Sequence, residues 1–461
     1  MNNRDPKMNK DDYRRYLILK DPNIYKGLVF LAMPVMFNNL IKTFHDLIDM
    51  YFVSRIAEHS AASVSAISVT FPILFMFISI GIGLSIAGTS LISQLVGANQ
   101  REEARKFATN LFLISIVFGI VLNILGYFGA PYVMKLMGTE GYLFEKSTKY
   151  LQIRSFELVA MFIMFAFTAI RQSDGDTITP VIFGVITMVL NIILSPIMIS
   201  VLGLGVEGAA YATLIGNVVV LPLILYQLYY SKNGLTIYRV FRLDRFVSKN
   251  IIRTAIPAAA GQSITAIGFA LMNTIIVSYG EQTLAAFSVG NRISSLILHP
   301  VMAIGGILAA YIGQNIGNSN PQRAREAFRK GVLLSVGIIS VTSLMMMFFR
   351  TDIASIFLKN DDVALKLAVT YMFYLLIGLP MMAVFQSFFG AFNGNGKTSY
   401  TLIVSVTRLW GLRIPLILIF TYFTAMGTSG IWTAMLISNF VIMFIGTFFY
   451  RKLKFLPKLE L

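Results

Sequence analysis

Apolar runs of about 20 residues or more recur along the whole chain and are separated by polar stretches. A helix needs about 20 residues to cross a hydrocarbon core about 30 Å thick, so each run is a candidate membrane span. Hydrophobic residues make up 56% of the sequence and charged residues 13%, which is more apolar surface than a water-soluble protein of this length buries. The sequence therefore predicts an all-α integral membrane protein.

We predict twelve transmembrane helices, called spans 1 to 12 below. They cover residues 25–53, 62–94, 104–132, 146–171, 178–201, 206–230, 250–279, 283–314, 328–349, 366–391, 399–423 and 428–450. The first 20 residues are polar and lack an apolar core followed by a small-residue cleavage site. We therefore expect no cleavable signal peptide, and span 1 acts as its own insertion signal.

Basic residues alternate between the two sides of this predicted topology. Both termini and the loops after the even-numbered spans are rich in Lys and Arg, whereas the remaining loops carry few. By the positive-inside rule, both termini are predicted to be cytoplasmic. The net charge of +16 is then typical of cytoplasmic loops facing anionic lipid, so we expect no nucleic-acid partner.

Cysteine is absent and histidine occurs only three times. The absence of Cys excludes disulfides and thiolate metal sites. The loops show neither a His/Asp/Glu ligand set nor a nucleophile paired with a base, which disfavours a membrane-embedded enzyme. We expect no bound cofactor.

The sequence repeats itself at a spacing of about 220 residues. The matches follow one order along the chain: Ala32-Met33-Pro34 with Ala255-Ile256-Pro257, Gln94 and Gly97 with Gln314 and Gly317, Tyr150 with Tyr371, and Asn217 with Asn439. Each half has an even number of spans, so two six-helix bundles should be related by a pseudo-two-fold axis along the membrane normal. The predicted divisions are a cytoplasmic N-terminal segment (1–24), an N-lobe (25–230), a cytoplasmic connector (231–249), a C-lobe (250–450) and a cytoplasmic tail (451–461).

Span 1 contains His45, Asp46 and Asp49 within an otherwise apolar run. A charge at mid-bilayer depth costs about 2.5 to 3.5 kcal/mol, so an acid retained there is a functional candidate. The two acids share a helix face and suit either a transferable proton or a hard cation such as Na⁺. Alternatively, Asp46 lies at the aqueous mouth and Asp49 only accepts hydrogen bonds. Asn273 replaces Asp49 in the second half, so coupling is expected in the N-lobe.

Other polar residues lie within the spans. Asn191 and Ser195 are four apart in span 5, so both can face one site. Thr213 in span 6 and Tyr150 in span 4 add hydroxyl groups, although each alone is more typical of helix packing.

Charged residues also occur inside the predicted spans. Arg154 and Glu157 in span 4 are three apart and are interpreted as an internal ion pair. Arg292, Arg408 and Arg413 have no acid nearby in the sequence, so they either reach an interface or line a cavity.

Four segments together resemble the multidrug and toxic compound extrusion (MATE) family, over about 25–451 of the chain. They are Ala32-Met33-Pro34, Asp49-Met50-Tyr51-Phe52-Val53-Ser54, Gln94-Leu95-Val96-Gly97-Ala98, and Arg171 with Gly175-Asp176-Thr177. The resemblance implies a transporter of the multidrug/oligosaccharidyl-lipid/polysaccharide (MOP) flippase superfamily.

The resemblance also implies roles for individual residues. Asp49 matches the family's H⁺- or Na⁺-binding acid, and Pro34 matches its span 1 kink. Asn191 and Ser195 map onto the family's Asn-x-x-x-Asp, while Tyr150 and Thr213 match polar positions of its cation site. Because Ser195 replaces the family's second acid, the balance tilts towards H⁺.

The sequence thus predicts a monomeric efflux transporter in the plasma (inner) membrane of a bacterium, exporting organic cations or amphipathic drugs in exchange for H⁺ or Na⁺. Candidate substrate-cavity residues are His45, Asn273 and Gln262, and Na⁺, if used, would bind Asp49, Asn191 and Thr213. The alternative is a lipid flippase of the same superfamily, which would need arginines clustered in one central cavity. A channel fits the two-lobe repeat less well.

Overall fold

The computed structural model describes residues 9–54, 60–231, 234–239, 242–358 and 361–458, and for residues 10, 11, 42–54 and 60–64 the backbone alone. This part of the chain is helical, and no strand occurs in it. Its helices are α1 (Lys10–Leu19), α2 (Ile24–Ser54), α3 (Ser60–Gly97), α4 (Arg101–Leu136), α5 (Gly141–Ser173), α6 (Ile178–Pro196), α7 (Gly205–Val219), α8 (Leu221–Tyr230), α9 (Arg245–Val277), α10 (Glu281–Gly317), α11 (Pro321–Phe348), α12 (Arg350–Phe357), α13 (Asp362–Gly394), α14 (Thr398–Val406), α15 (Ile414–Phe423) and α16 (Thr428–Arg451). Two π-helical segments, Ile197–Val201 and Thr407–Arg413, follow α6 and join α14 to α15.

Twelve segments of the described chain are long and apolar enough to cross a membrane. Helices α2 to α6 are spans 1 to 5, and α7 with α8 is span 6. Helices α9, α10, α11 and α13 are spans 7 to 10, α14 with α15 is span 11, and α16 is span 12. The predicted all-α membrane fold is confirmed.

Several helices are longer than the apolar runs that predict them. Helix α11 begins at Pro321 rather than at 328, and α9 begins at Arg245, inside the predicted connector 231–249. These extra turns are polar and charged, so a count of apolar residues ends before the helix does. For the same reason, the short helices α1 and α12 are not predicted from the sequence.

Side chains cap three of these helices at their first turn. Asp244, Asn320 and Asp361 each accept a hydrogen bond from the backbone N–H three positions later, at 2.9 to 3.0 Å. Each bond satisfies one of the N–H groups that a helix start leaves without an intrahelical acceptor. The caps stand at the starts of α9, α11 and α13, where the chain re-enters a helix after a loop.

Helices α2 to α8 form the N-lobe and α9 to α16 form the C-lobe. We call the end of the bundle that carries α1 and the tail up to Lys458 the basic end. Near this end, the first helix of each lobe packs into the core of the other. Leu28 and Leu31 of α2 share an apolar cluster with Leu308 of α10, while Val247 and Ile251 of α9 share one with N-lobe helices.

At the opposite end, each buried apolar cluster of the described residues belongs to a single lobe. The cluster around Leu74 and Tyr150 is made of N-lobe residues. The clusters around Met372 and Trp432 are made of C-lobe residues. The described cores of the two lobes therefore meet at the basic end and stay separate at the other end.

Two repeat-related glutamines connect the lobes at the basic end. The Nε2 of Gln94 in α3 donates to the carbonyl oxygen of Gly394 in the C-lobe at 2.8 Å. The Nε2 of Gln314 in α10 donates to the carbonyl oxygen of Ser173 in the N-lobe at 2.7 Å. These matched bonds place the pseudo-two-fold axis between α3 and α10.

Two repeat-related glycines allow this close approach. A Cβ added at Gly97 would overlap the backbone carbonyl of Gln314, and one added at Gly317 would overlap that of Gln94. Only a residue without a side chain lets α3 and α10 cross this closely.

Helix α1 bridges the two lobes across the basic end. Arg14 of α1 forms a 3.0 Å ion pair with Asp176 of the N-lobe. The Nε of Arg323, in the C-lobe, donates to the carbonyl oxygen of Ile18 at 2.9 Å. The tail adds a second bridge, because the backbone N–H of Lys458 donates to Oε1 of Gln94 at 2.9 Å.

Candidate functional site

A chain of amide and hydroxyl groups, buried on α6 and half-buried on α7, lies in the N-lobe between these two helices. The Oγ of Ser195 donates to Oδ1 of Asn191 at 3.0 Å, and Nδ2 of Asn191 donates to Oγ1 of Thr213 at 3.0 Å. Asn191 and Ser195 are 2% and 1% exposed. The structure therefore brings together three of the residues that the sequence predicts for the site.

This polar chain continues to a buried charged pair on α5. Asn217, one turn after Thr213, donates from Nδ2 to Oε1 of Glu157 at 3.1 Å. Arg154 NH1 lies 2.9 Å from the other carboxylate oxygen of Glu157, which confirms the predicted internal ion pair. Asn217 and Glu157 are not among the site residues predicted from the sequence. The four-residue spacing between Thr213 and Asn217 is the signal that points to Asn217.

The span 1 candidates lie on α2, whose backbone is described through Ser54. The side chains of Asp49, Asp46 and His45 lie outside the described residues. Helix α2 packs on α6, because a Cβ added at Gly184 would lie 3.1 Å from Oδ1 of Asn38. Helix α2 therefore runs beside the helix that carries Asn191 and Ser195.

Pro34 and Tyr150 lie on the helices around this site. Pro34 lies inside α2, which continues through it. Tyr150 is 7% exposed, lies in the N-lobe cluster with Leu74, and stands two turns before Glu157 on the same face of α5. Both residues belong to the walls of the N-lobe rather than to its surface loops.

A cavity of about 200 Å³ lies between the lobes where they meet. Thr89 and Gln172 line it from the N-lobe, and Gln262, Gln386 and Phe389 line it from the C-lobe. No charged side chain of the described residues contributes to this lining. Gln262, a candidate substrate-cavity residue, thus lines a space that both lobes build from amides and apolar groups.

Asn273 lies farther along the same helix face. It follows Gln262 by eleven positions on α9, which is about three helical turns, so the two amides point in similar directions. Asn273 is exposed. Asn273 therefore lies on the same side of α9 as Gln262, nearer the end at which the described cores of the two lobes are separate.

The three arginines of the C-lobe lie in different environments. Arg292 is exposed on α10, whereas Arg408 and Arg413 are 5% and 2% exposed. Arg413 donates to Oγ of Ser438 at 3.0 Å and to Oδ1 of Asn439 at 2.6 Å. None of the three lines the inter-lobe cavity, so the arginine cluster that the flippase alternative requires is not found there.

Comparison with known proteins gives one family match in each lobe. The family model MatE matches residues 34–197 and again residues 257–419. The chain is 25% identical to the probable multidrug resistance protein YoeA of Bacillus subtilis, covering 89% of this chain and 90% of that protein. It is 26% identical to the FAD transporter of Shewanella oneidensis, covering 93% and 94%.

Solved structures give the same result. The chain superposes with a TM-score of 0.88 on the outward-facing conformation of a multidrug resistance MATE family transporter of the MOP superfamily. The sequences are 25% identical, and the match covers 95% of this chain and 96% of that one. One family match in each lobe, together with this shared fold, shows that the chain belongs to the MATE family of multidrug transporters and is a membrane transporter, not an enzyme.

Proposed function

We propose that this protein exports organic cations or amphipathic drugs across the plasma membrane of a bacterium, in exchange for H⁺ or Na⁺. Transport occurs by alternating access, both termini are cytoplasmic, and Asp49 is the coupling residue. A monomer suffices, because one chain supplies both lobes. The observation that carries the proposal is the polar chain from Ser195 through Asn191 and Thr213 to Asn217 and Glu157. Polar groups at membrane depth are expensive and mark ion or substrate paths.

The backbone of α2 supports a role for Asp49 at this polar chain. Helices α2 and α6 are odd-numbered spans and run in the same direction from the basic end. Asp49 follows Asn38 by eleven positions, and Ser195 follows the facing Gly184 by eleven. With an equal rise per residue, Asp49 reaches the membrane level of Ser195.

The coupling ion neutralises the span 1 carboxylate. A carboxylate at this depth gains from either a bound proton or a bound hard cation. The Na⁺ version would use Asp49, Asn191 and Thr213 as oxygen ligands. Ser195 stands where the resembling family often has a second acid, which favours H⁺.

The arrangement of the lobes supports alternating access. The described cores meet at the basic end and are separate at the other, as expected for an outward-facing state when the basic end is cytoplasmic. The inter-lobe cavity lies at the meeting point, so the substrate contacts both lobes. Its amide, methionine and phenylalanine groups suit amphipathic molecules of varied shape.

The test uses proteoliposomes with an imposed pH or Na⁺ gradient and the cationic dye rhodamine B methyl ester. The wild type should drive dye transport with one of the gradients, and Asp49→Asn should abolish it while the protein still inserts. Asp352→Asn, which changes an exposed acid of the short helix α12, is the matched control and should transport normally. Full gradient-driven transport by Asp49→Asn would refute the coupling role.

A further inference from the structure

The C-lobe buries two guanidinium groups without a carboxylate. Among the described residues, no acid forms an ion pair with Arg408 or Arg413. The N-lobe differs at the corresponding place, because the carboxylate of Glu157 lies 2.9 Å from the half-buried Arg154. A buried charge normally has an opposite charge beside it. The C-lobe therefore has a deficit of negative charge.

The repeat shows where this negative charge is missing. Tyr150 corresponds to Tyr371, and seven positions later Glu157 corresponds to Gly378. A Cβ added at Gly378 would lie 3.3 Å from Nδ2 of Asn439, the amide that corresponds to Asn217. The N-lobe thus holds a carboxylate against this amide, and the C-lobe holds a glycine there.

The amide of Asn439 contacts a positive charge, whereas the amide of Asn217 contacts a negative one. Its Oδ1 accepts a 2.6 Å hydrogen bond from Arg413, whereas Asn217 in the N-lobe donates to a carboxylate. The equivalent amides of the two lobes therefore face opposite charges, the Glu157 carboxylate in the N-lobe and the Arg413 guanidinium in the C-lobe.

A π-helical segment, Thr407–Arg413, brings the two arginines together. Hydrogen bonds in a π-helix join residues five apart, so Arg408 and Arg413 lie one turn apart on the same side of the helix. Single π-helical turns of this kind often occur at functional sites. The two positive charges therefore belong to residues about one helical turn apart, with Arg408 against α13 and Arg413 against α16.

Arg408 has donors that its surroundings barely satisfy. Its guanidinium lies 4.5 Å from the ring centroid of Phe385. NH1 donates to Sδ of Met382 at 3.1 Å, and Nε is buried with no hydrogen-bond partner among the described residues. A thioether sulfur is a weak acceptor on a flexible side chain, so an anionic oxygen would replace it readily.

Met382, the residue that Arg408 contacts, lies on the face of α13 that carries a cavity-lining residue. It stands one helical turn before Gln386 on α13, and residues four apart lie on the same helix face. Gln386 lines the cavity, and Met382 is partly exposed. A rotation of the Met382 side chain would therefore connect the cavity to Arg408.

We propose that Arg408, supported by Arg413, binds the negatively charged group of an amphipathic substrate that occupies the inter-lobe cavity. The substrate class is a zwitterion or anion with a carboxylate, whose apolar body contacts the cavity-lining Phe389. The proposal rests on the proposed function, because it names the substrate of the same cavity. The positive C-lobe site holds the carboxylate of such a molecule.

Two dyes that differ only in this group provide the test. Rhodamine B carries a free carboxylate beside its cationic ring system, and its methyl ester lacks that negative charge. Binding to the purified full-length protein is measured by fluorescence anisotropy in a low-salt buffer without chloride or carboxylate anions. Arg408→Gln should raise the Kd for rhodamine B about tenfold or more, since a charge-assisted hydrogen bond is lost. The Kd for the ester should change less than about twofold, because it has no group that needs the guanidinium.

Two further variants separate a binding role from a structural one. Arg408→Lys keeps the charge and should recover part of the affinity for rhodamine B. Arg292→Gln removes an exposed arginine of the same lobe and should leave the affinity for both dyes unchanged. The melting temperature of the protein without dye should not fall in Arg408→Gln, because the change removes a buried charge that lacks an acidic partner among the described residues.

Three results would overturn the proposal. One is equal affinity of Arg408→Gln and the wild type for rhodamine B. Another is an equal loss of affinity for both dyes together with a lower melting temperature, which would indicate that Arg408 has a structural role. In the third result, chloride raises the melting temperature only when Arg408 is present, and the protein binds rhodamine B no more tightly than its ester. This would indicate that an inorganic anion occupies the site. Gradient-driven transport of the ester tests the proposed function separately, so either conclusion can fail alone.

Discussion

Residues of the N-lobe site satisfy one another's charges and hydrogen bonds inside an apolar bundle. Glu157 is 3% exposed and accepts from Asn217 while its second oxygen faces Arg154. Removing one partner of a buried pair leaves the other charge without compensation, which costs more than the pair contributes. The polar chain from Glu157 to Ser195 should therefore respond to single substitutions as a unit.

Glu157→Gln should lower the free energy of unfolding by about 3 kcal/mol, because the buried guanidinium of Arg154 loses its anion. Equilibrium unfolding in mixed micelles measures this change. The control is Glu145→Gln on the same helix, whose 2.8 Å pair with Lys149 is exposed and should therefore change the stability far less. Equal losses in the two variants would contradict the argument.

Much of this site follows from sequence spacing, and part of it does not. The i,i+4 positions of Asn191 and Ser195 are enough to place both side chains on one face of α6. The contact of Glu157 with Asn217 joins α5 to α7, and helix spacing alone carries no information on such a pairing. The charge reversal between Glu157 and Arg413 is likewise a property of packing.

At the scale of helices, α3 and α10 form the closed contact between the lobes. Gly97 and Gly317 let the two backbones meet, and Gln94 and Gln314 connect each helix to the other lobe. This contact is symmetric and contains no ion pair in the described residues. It can therefore open without separating charges.

Gly97→Ala should weaken the closed basic end, because its methyl group would overlap the carbonyl of Gln314. Labelling of a single cysteine at Gln262→Cys by a membrane-impermeant maleimide, applied from the basic end, measures the opening. The chain has no native cysteine, so this thiol is the only reactive one. Labelling should increase several-fold.

Gly337→Ala is the matched control for this experiment. It adds the same methyl group in α11, where no atom of the described residues lies within 4 Å, and should leave the labelling rate unchanged. An unchanged rate in Gly97→Ala would show that the contact between α3 and α10 does not hold the basic end closed.

The docked tail should respond to pH through Lys458. Burial, followed by the nearby Lys397 and Arg253, lowers the pKa of Lys458 from its ordinary 10.5 to about 8. Between these values the undocked tail binds more protons than the docked one, so docking should strengthen as pH rises from about 8 towards 10.5. The mobility of a spin label at Leu456→Cys, an exposed tail position, measures docking.

Lys458→Met should remove this pH dependence, and Lys454→Met, an exposed lysine of the same tail, should keep it. If the pH dependence survives in Lys458→Met, another group controls the docking.

At the scale of the whole molecule, the apolar runs predict all twelve spans, and the 220-residue repeat predicts two related lobes. Both follow from the length that a membrane requires and from colinear matches along the chain. The packing of each lobe's first helix against the other lobe is not predictable in this way. The same holds for the bridge that α1 forms between the lobes. They depend on which helices pack against each other, and the apolar pattern of a single helix does not specify its partner.

The central claim is that a cation at Asp49 controls which end of the two-lobe molecule is open. Spin-label distances test it most directly, using one pair at Glu103 and Gln322 at the basic end and another at Glu140 and Asp352 at the opposite end, all exposed. A change in pH or Na⁺ should produce a population with a longer basic-end distance and a shorter distance at the other end. Asp49→Asn should not show this shift. Wild-type distances that stay constant, or an identical shift in Asp49→Asn, would contradict the claim.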